Sequence, residues 1–328
     1  MRRLSLGLAV AVAALVFVPA AFGDGGPFLV TQGGQGVATR DNAFHYVAVP
    51  DGNHSTLLEK LEVANGQVNY WIPLKGSWGI PTLGTGSLTG QGLSWNGRRL
   101  VLTEPPGYWS PSRFMLVDLK RLRAVRTITL HGFFSFDALS PNGSQMYLIQ
   151  YTHGRSGNLT HYVVREYDLR TNRLLPGKIA ARDEDGHEPT MAGSPLMRTT
   201  SANGRWVYTL YQKPSGMPFI HALNTVAGVA HCIDLPWSKT NQGAYNLVLS
   251  LHNHDRTLAV SWLSGRPLLN VAVGSWQVTE VNGAFPWGWV GAGVGVGLAL
   301  LAAAGALLLR RRGSEEVEQH SGQELGLA

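Results

Sequence analysis

The stretch Phe136–Tyr151, FDALSPNGSQMYLIQY, decides the fold that the sequence predicts. Apolar residues alternate on both sides of Pro141-Asn142-Gly143, which is the pattern of two short strands joined by a tight turn. Asn-Gly between two apolar runs is a strong hairpin signal, because both residues tolerate the positive φ that such turns use. The stretch therefore predicts a β-hairpin in which both turn residues, and Gly143 in particular, adopt positive φ.

The same hairpin pattern recurs along the chain. Its copies are LSWNGRRLVLTE at 93–104, TSANGRWVYTLY at 200–211, LSLHNHDRTLAVSW at 249–262 and, more weakly, ATRDNAFHYVAV at 38–49. The five copies lie roughly 45–60 residues apart, an interval typical of repeated four-stranded units. The middle of the chain is therefore predicted to be a repeat protein made of β-sheets.

Each hairpin is followed by a second pair of alternating strands. A polar residue closes the third strand just before a turn, and these residues are Glu62, Asp118, Asp168 and Asn224. Such side chains can accept hydrogen bonds from the NH groups of the turn. A lone four-stranded sheet cannot bury both faces, so the units are expected to pack side by side, with ring closure protecting the edges. A strand near Phe28–Val30 is expected to close the ring by pairing with the last unit, around Leu268–Val281.

A family resemblance rests on two of these segments. SPNGSQMYLIQY followed by YVVREYDLRTNRLL resembles the repeats of YncE-like and WD40-like β-propellers, which read SPDG-x-x-x-Y-V and then V-x-V-I-D-x-x-T-x-x-V. The resemblance covers about residues 28–282 and is strongest in the second to fourth units. It implies an all-β fold, a β-propeller of about five to six four-stranded blades; an open sandwich of flat sheets is the alternative. Because propellers host binding proteins, hydrolases and redox enzymes, the resemblance specifies a blade and not a function.

The N-terminal segment has the pattern of a secretory signal peptide. Arg2 and Arg3 precede an apolar run of about fifteen residues, and small residues follow at Ala21 and Gly23. We predict a signal peptide over 1–23; an uncleaved anchor is the alternative interpretation. The domain at 24–282 is therefore expected outside the cytoplasm.

The segment 287–309 is predicted to be a transmembrane α-helix. It carries no charge and is long enough to cross a ~30 Å hydrocarbon core; a buried soluble helix is the alternative. Three arginines follow at 310–312 and are expected on the cytoplasmic side. A juxtamembrane linker at 283–286 and a cytoplasmic tail at 310–328 complete a single-pass protein of the cell membrane. Gly291 and Gly295 have a spacing that allows dimerisation through the span, and the Gly/Ala-rich composition points to a bacterial source.

Composition excludes some classes of function. The net charge is +6, but the basic residues are scattered and form no patch typical of nucleic-acid binding. Cys232 is the only cysteine, so an intrachain disulfide is excluded. It lies in the alternating strand VAHCIDL, which favours a small core residue. A reactive thiol beside His231 is the alternative.

Two polar clusters are candidates for metal binding. Asp183, Asp185 and His187 lie in the segment DEDGHE, whose oxygens could bind Ca²⁺, although it lacks the spacing of an EF-hand loop and a solvated loop is the simpler interpretation. His252 and His254 have the i, i+2 spacing that places two imidazoles on one face of a strand. They also stand where the sister units have turn residues, which is the simpler interpretation. No other cofactor is predicted, and no catalytic residue can be named.

The predicted function is binding or scaffolding of a protein or a cell-envelope ligand at the propeller face. The sequence contains no G-x-S-x-G elbow, Gly-rich phosphate loop or H-E-x-x-H motif, so whether the protein is an enzyme stays open. The alternatives are an anchored propeller hydrolase of lactonase or glycan type and an accessory or sensor subunit of a membrane complex. Three or more His, Asp or Glu side chains converging at the central face would favour the hydrolase.

Overall fold

The computed structural model describes residues 29–34, 36–83, 89–105, 111–152, 161–179, 191–237 and 242–281. This part of the chain consists of β-strands and turns, with a short 3-10 helix at Gln242–Asn246. Within these ranges no helix is both long and apolar enough to cross a membrane. The predicted signal peptide, linker, transmembrane helix and tail lie outside the described residues.

The strands are numbered in chain order. The first eight are β1 Leu29–Thr31, β2 Val37–Ala38, β3 Phe44–Pro50, β4 Ser55–Glu62, β5 Val68–Lys75, β6 Ile80–Leu83, β7 Thr89–Gly90 and β8 Arg99–Thr103. The next seven are β9 Ser112–Asp118, β10 Arg123–Leu130, β11 Phe133–Leu139, β12 Gln145–Thr152, β13 His161–Asp168, β14 Arg173–Leu174 and β15 Met191–Ala192. The last eight are β16 Ser194–Thr200, β17 Trp206–Gln212, β18 Pro218–Asn224, β19 Val229–Asp234, β20 Leu247–His252, β21 Thr257–Trp262, β22 Pro267–Ala272 and β23 Val278–Glu280.

The strands form five consecutive antiparallel units in the described residues. Unit 1 is β2–β5, unit 3 is β11–β14 with β15 paired to β13, unit 4 is β16–β19, and unit 5 is β20–β23. Unit 2 is β8–β10, and a bridge from Leu93 to Leu100 supplies its fourth, inner segment. The prediction of an all-β fold made of repeated four-stranded units is confirmed. This order, a meander repeated with its first strand innermost, is the sheet arrangement of a β-propeller.

Buried apolar side chains fill the junctions between consecutive units. Unit 1 packs on unit 2 through residues such as Leu58 and Leu100, and unit 2 packs on unit 3 through residues such as Phe114 and Met146. Two clusters lie between units 3 and 4, and a larger one joins units 4 and 5. Because strand side chains alternate between faces, each sheet contributes to the core on both of its sides. The packing of neighbouring sheets therefore holds the repeats together.

The N-terminal strand does not close the ring in the predicted way. Strand β1 pairs with β6, with Val30 opposite Pro81, and β6 in turn pairs with β7. The expected pairing of this strand with residues 268–281 is wrong, since β22 pairs with β21 and β23. Strand β6 also contacts β8 of unit 2 and β16 of unit 4. The β1–β6 pair therefore lies among the inner strands of the units.

The hairpin turns of units 2, 3 and 4 share one geometry. In unit 3 the Ser140 hydroxyl lies 2.9 Å from Asn142 Oδ1, and Gly143 N donates to the Ser140 carbonyl over 2.8 Å. The same two distances recur in the turns at 94–97 and 201–204. The glycine has φ of 67–70° in all three turns, as predicted, but the asparagines are not among the residues at positive φ. The prediction for asparagine is wrong. The asparagine side chain accepts a hydrogen bond within the turn, and only the glycine takes the left-handed conformation.

The polar residues that close the third strands behave as predicted in three units. The side-chain oxygens of Asp118, Asp168 and Asn224 each accept hydrogen bonds from two backbone NH groups of the following turn. Glu62 instead accepts from the side-chain amides of Asn65 and Asn69. Its side chain is one methylene longer, which carries the carboxylate beyond the turn backbone.

Two of the turn glycines offer a matched stability test. Alanine at Gly97 or Gly143 would stand at nearly equal φ, 67° and 68°, and each carries the left-handed strain of about 1–2 kcal/mol. A Cβ on Gly97 meets nothing within 4 Å, whereas one on Gly143 would lie 2.9 Å from Arg99 Cβ. We expect Gly143→Ala to be about 1–3 kcal/mol more destabilising than Gly97→Ala in chemical denaturation. Equal denaturation midpoints for the two variants would show that Arg99 moves away from the new Cβ at position 143 without cost.

Candidate functional site

The first turns of the five units meet at one end of the inner strands. These turns, residues 39–42, 94–97, 140–143, 201–204 and 253–256, are called the turn face below. Asn96 N donates to the Pro141 carbonyl over 3.1 Å, which joins units 2 and 3. Ala202 N donates to Asp255 Oδ2 over 2.6 Å, which joins units 4 and 5. The turn face is therefore tied together by hydrogen bonds between units.

Trp95 crosses the turn face. Its indole Nε1 donates to the Ala202 carbonyl over 2.5 Å, which links unit 2 to unit 4 directly. The Arg40 guanidinium of unit 1 lies 4.4 Å from the centre of the indole ring, close enough for a cation–π interaction. Gly204 is required beneath the ring, because a Cβ there would lie 2.7 Å from Trp95 Cβ. One tryptophan of unit 2 thus contacts the turns of two other units, units 1 and 4.

A cavity of about 950 Å³ lies between the turn face and the inner strands. Its walls come from units 1 to 4, through residues 37–41, 90–97, 136–139 and 198–202. This volume lies within the range of small-molecule sites, ~300–1,000 Å³. We refer to it as the central cavity.

The described lining of the central cavity carries four formal charges and no histidine. Arg40 and Asp41 lie in the turn of unit 1, while Asp137 and Arg198 lie on the inner strands of units 3 and 4. The Thr39 hydroxyl donates to Asp41 Oδ1 over 2.6 Å and is the main cause of the lowered pKa of that carboxyl. Two positive and two negative side chains leave the lining without net charge.

Asp137 and Arg198 form a buried ion pair at the wall of the cavity. Their exposed fractions are 1% and 7%, and an Arg198 NH2 group donates to Asp137 Oδ1. Arg198 Nε also donates to Thr209 Oγ1 over 2.8 Å. Asp137 Oδ2 is buried and accepts no hydrogen bond from the described residues. The pair supplies charge balance, but one carboxylate oxygen still lacks a donor.

A row of polar residues crosses unit 4 from the cavity to the outer strand. Arg198 is opposite Thr209, Thr209 is opposite His221, and His221 is opposite Cys232. Directly opposite residues share a face of the sheet, so the four side chains form one polar row toward unit 3. Burial lowers the pKa of His221 to about 4, which keeps its imidazole neutral above that pH. His221 Nδ1 lies 3.8 Å from Cys232 Sγ.

Three tyrosines pack beside the polar row at the junction of units 3 and 4. The rings of Tyr162 and Tyr211 are stacked, with centroids 4.9 Å apart and an interplanar angle of 10°. Tyr151 lies 6.2 Å from Tyr162. Burial raises the pKa of all three hydroxyls above the ordinary value, so they stay protonated. The polar row is thus embedded in an aromatic, water-poor interior.

The predicted metal ligands are not brought together in the described residues. Asp183, Asp185 and His187 lie outside them. His252 Nε2 is 2.9 Å from the Ser250 hydroxyl, and His254 adopts φ of 55° in the turn of unit 5. The described ranges contain no group of three or more His, Cys, Asp or Glu side chains that could hold a metal ion. Metal binding at either cluster stays a prediction.

The prediction for Cys232 is wrong. Cys232 is exposed on β19, which is the outer strand of unit 4, so it does not fill the core. The imidazole next to its thiol belongs to His221 and not to His231. His231 follows the opposite face of the strand, where its ring lies 4.9 Å from that of Trp276. Neighbours in sequence point to opposite faces of a strand, which separates the suggested pair.

The residues that sequence analysis missed are those at the junction of units 3 and 4. Asp137 interrupts the apolar run FFSFDAL, and Arg198 and His221 interrupt the strands SPLMRTT and PFIHALN. A charged or titratable residue inside a strand that is predicted to be buried is an available signal, because such groups are buried only with partners. The partner could not be named, since Asp137 and Arg198 are 61 residues apart.

Comparisons with known proteins give the following results. No protein-family description matches the chain. No curated protein matches it either. Among solved structures, Kuenenia stuttgartiensis hydrazine synthase is 16% identical with a TM-score of 0.45, and the match covers 72% of this chain and 63% of that one. Dihydro-heme d1 dehydrogenase NirN is 16% identical with a TM-score of 0.45 and coverage of 78% and 47%. TolB from Acinetobacter baumannii is 11% identical with a TM-score of 0.40 and coverage of 77% and 56%.

The chain spans about half to two thirds of the length of these three proteins. The identities and TM-scores are low, so no activity is transferred from them. The fold is therefore assigned from the sheet order and strand register of the chain itself. That arrangement agrees with a β-propeller.

Proposed function

We propose that this chain is a membrane-anchored, extracytoplasmic β-propeller that acts as a binding module, with its ligand in the central cavity. The observation that carries the proposal is the cavity of about 950 Å³ that four units line with their inner strands. Repeat rings use such central surfaces because every unit contributes side chains to them. The anchor and the extracytoplasmic position come from the sequence patterns at 1–23 and 287–309.

The groups around the cavity favour binding over catalysis. Its described lining contains two carboxylates, Asp41 and Asp137, and each already accepts a hydrogen bond from a neighbouring side chain. Asp137 is held by the Arg198 guanidinium as the acceptor of a charge-assisted hydrogen bond. Mixed apolar walls with a few placed polar groups are typical of ligand sites. The hydrolase alternative gains no specific support from these residues.

A cavity-filling variant tests the proposed function. Thr200 lines the cavity, and Thr200→Trp should place an indole in it and weaken ligand binding by about tenfold or more, since the ligand must displace the indole. Thr129→Trp, on exposed strand β10 of unit 2, is the matched control and should bind normally. Purified full-length protein would be titrated calorimetrically with peptidoglycan fragments, sugars and peptides. Equal affinity of a bound probe for both variants would place its site outside the central cavity.

A further inference from the structure

We infer that the ligand of the central cavity is an uncharged polyhydroxylated molecule, of the sugar class, whose hydroxyl donates to Asp137. This inference rests on the proposed function and adds the chemistry of the ligand. Its starting point is Asp137 Oδ2, a buried carboxylate oxygen with no hydrogen-bond donor among the described residues. A buried acceptor without a partner is costly, so a donor that enters with a ligand is strongly favoured.

The oxygen can be presented to a ligand with little movement. Asp137 lines the cavity, and its Oδ1 is held by Arg198. Oδ2 itself is buried, so a ligand reaches it only after a rotation of the carboxylate, which the broad terminal torsion of an aspartate side chain permits. The donor site is therefore at the end of the cavity opposite the turn face.

The charges select a neutral donor. A ligand cation at Asp137 would lie beside the Arg198 guanidinium, which repels it in a poorly solvated interior. A ligand anion at Asp137 would be repelled by the carboxylate itself, and the neighbouring guanidinium of Arg198 is already engaged by Asp137 and Thr209. The four lining charges sum to zero, so the net charge of the lining favours neither sign of ion.

The remaining lining groups match hydroxyls. Thr39, Thr199 and Thr200 lie in the lining, and their hydroxyls can both donate and accept, as the hydroxyls of a sugar do. Apolar side chains such as Val37 and Phe136 alternate with them and can contact the CH faces of a pyranose ring. The volume accommodates one or two sugar rings, within the usual range of ligand sites.

The experiment compares matched neutral and charged probes on the full-length protein. N-acetylglucosamine, glucose and trehalose are the neutral probes, and glucosamine and glucuronate are the charged counterparts. We expect at least one neutral sugar to bind at least tenfold more tightly than its charged counterpart, and Thr200→Trp to abolish that binding. Equal or tighter binding of a charged probe that Thr200→Trp also abolishes would overturn the inference and leave the proposed function standing. If none of the sugar probes binds in the cavity while a peptide does, the inference is also overturned and the proposed function also stands.

Changes in the ligand then locate the contact without perturbing the fold. Deoxy analogues of the bound sugar remove one hydroxyl at a time, and one position should cost far more affinity than the others. Asp137→Leu combined with Arg198→Met removes the acceptor without leaving a buried charge unpaired, so it should erase the difference between that deoxy analogue and the parent sugar. A difference that survives in this double variant would assign the contact to another residue. Binding of every probe that is insensitive to Thr200→Trp would instead contradict the proposed function itself.

Discussion

Arg198→Met should lower the free energy of unfolding by about 3–5 kcal/mol, the usual cost of leaving a buried charge without its partner. The guanidinium is the described partner of Asp137, whose side chain is 1% exposed. Removing it leaves a buried carboxylate at the junction of units 3 and 4 without its counter-charge. Chemical denaturation of the purified protein, followed by tryptophan fluorescence, measures the loss.

The double variant Asp137→Leu with Arg198→Met is the second measurement in this experiment. It removes both charges and fills the space with apolar groups, so it should recover most of the lost stability. Lys213→Met is the control, because Lys213 pairs with Asp234 over 2.7 Å at an exposed position and should cost no more than about 1 kcal/mol. A double variant as unstable as the single one would mean that the pair is retained for structure and not only for charge balance.

Acidification should destabilise the protein through His221. The unfolded histidine has an ordinary pKa of 6.5, while burial lowers the folded pKa to about 4. Between these two values the unfolded state binds the extra proton, so the free energy of unfolding falls as the pH falls from 6.5 toward 4. The loss amounts to about 3 kcal/mol, and it levels off below the folded pKa.

A substituted protein isolates this contribution from that of the carboxylates. His221→Asn removes the titrating group, so the slope of stability against pH between 4 and 6.5 should become shallower than in the parent protein. His131→Asn, which replaces an exposed histidine that is not a neighbour of His221, is the matched control. Asp118 and Asp168, whose pKa values are lowered mainly by backbone hydrogen bonds, contribute at the acidic end in all three proteins. Parallel slopes for the parent protein and His221→Asn would contradict the assignment of this pH dependence to His221.

The repeated units were predictable because their signals are local. The turn that contains Gly143 and the aspartate at 168 each act within a few residues of themselves, so sequence spacing alone locates them. Alternation of apolar residues then supplies the strands between them. The errors at single residues concerned Asn142, whose side chain is the acceptor of the turn, and Cys232, which lies on an outer strand. Both depend on which neighbours surround the residue and not on its own pattern.

The central cavity was not predictable, because it depends on how separate units face each other. Trp95 and Ala202 are 107 residues apart, yet they share a hydrogen bond across the turn face. Asp137 and Arg198 each look like an isolated exception within its own strand. A single sequence gives the position of each exception but not the pairing between them. The pairing follows from the register and packing of complete sheets.

The pairing of β1 with β6 has a consequence for the order in which the chain folds. The N-terminal strand pairs with residues 80–82, so this contact needs no residue of units 3 to 5. Each later unit is a meander of consecutive strands that needs mainly its own residues and the surface of the unit before it. Domains commonly fold from the N-terminus as the chain emerges. Folding of this protein can therefore be vectorial, with each finished sheet serving as the template for the next.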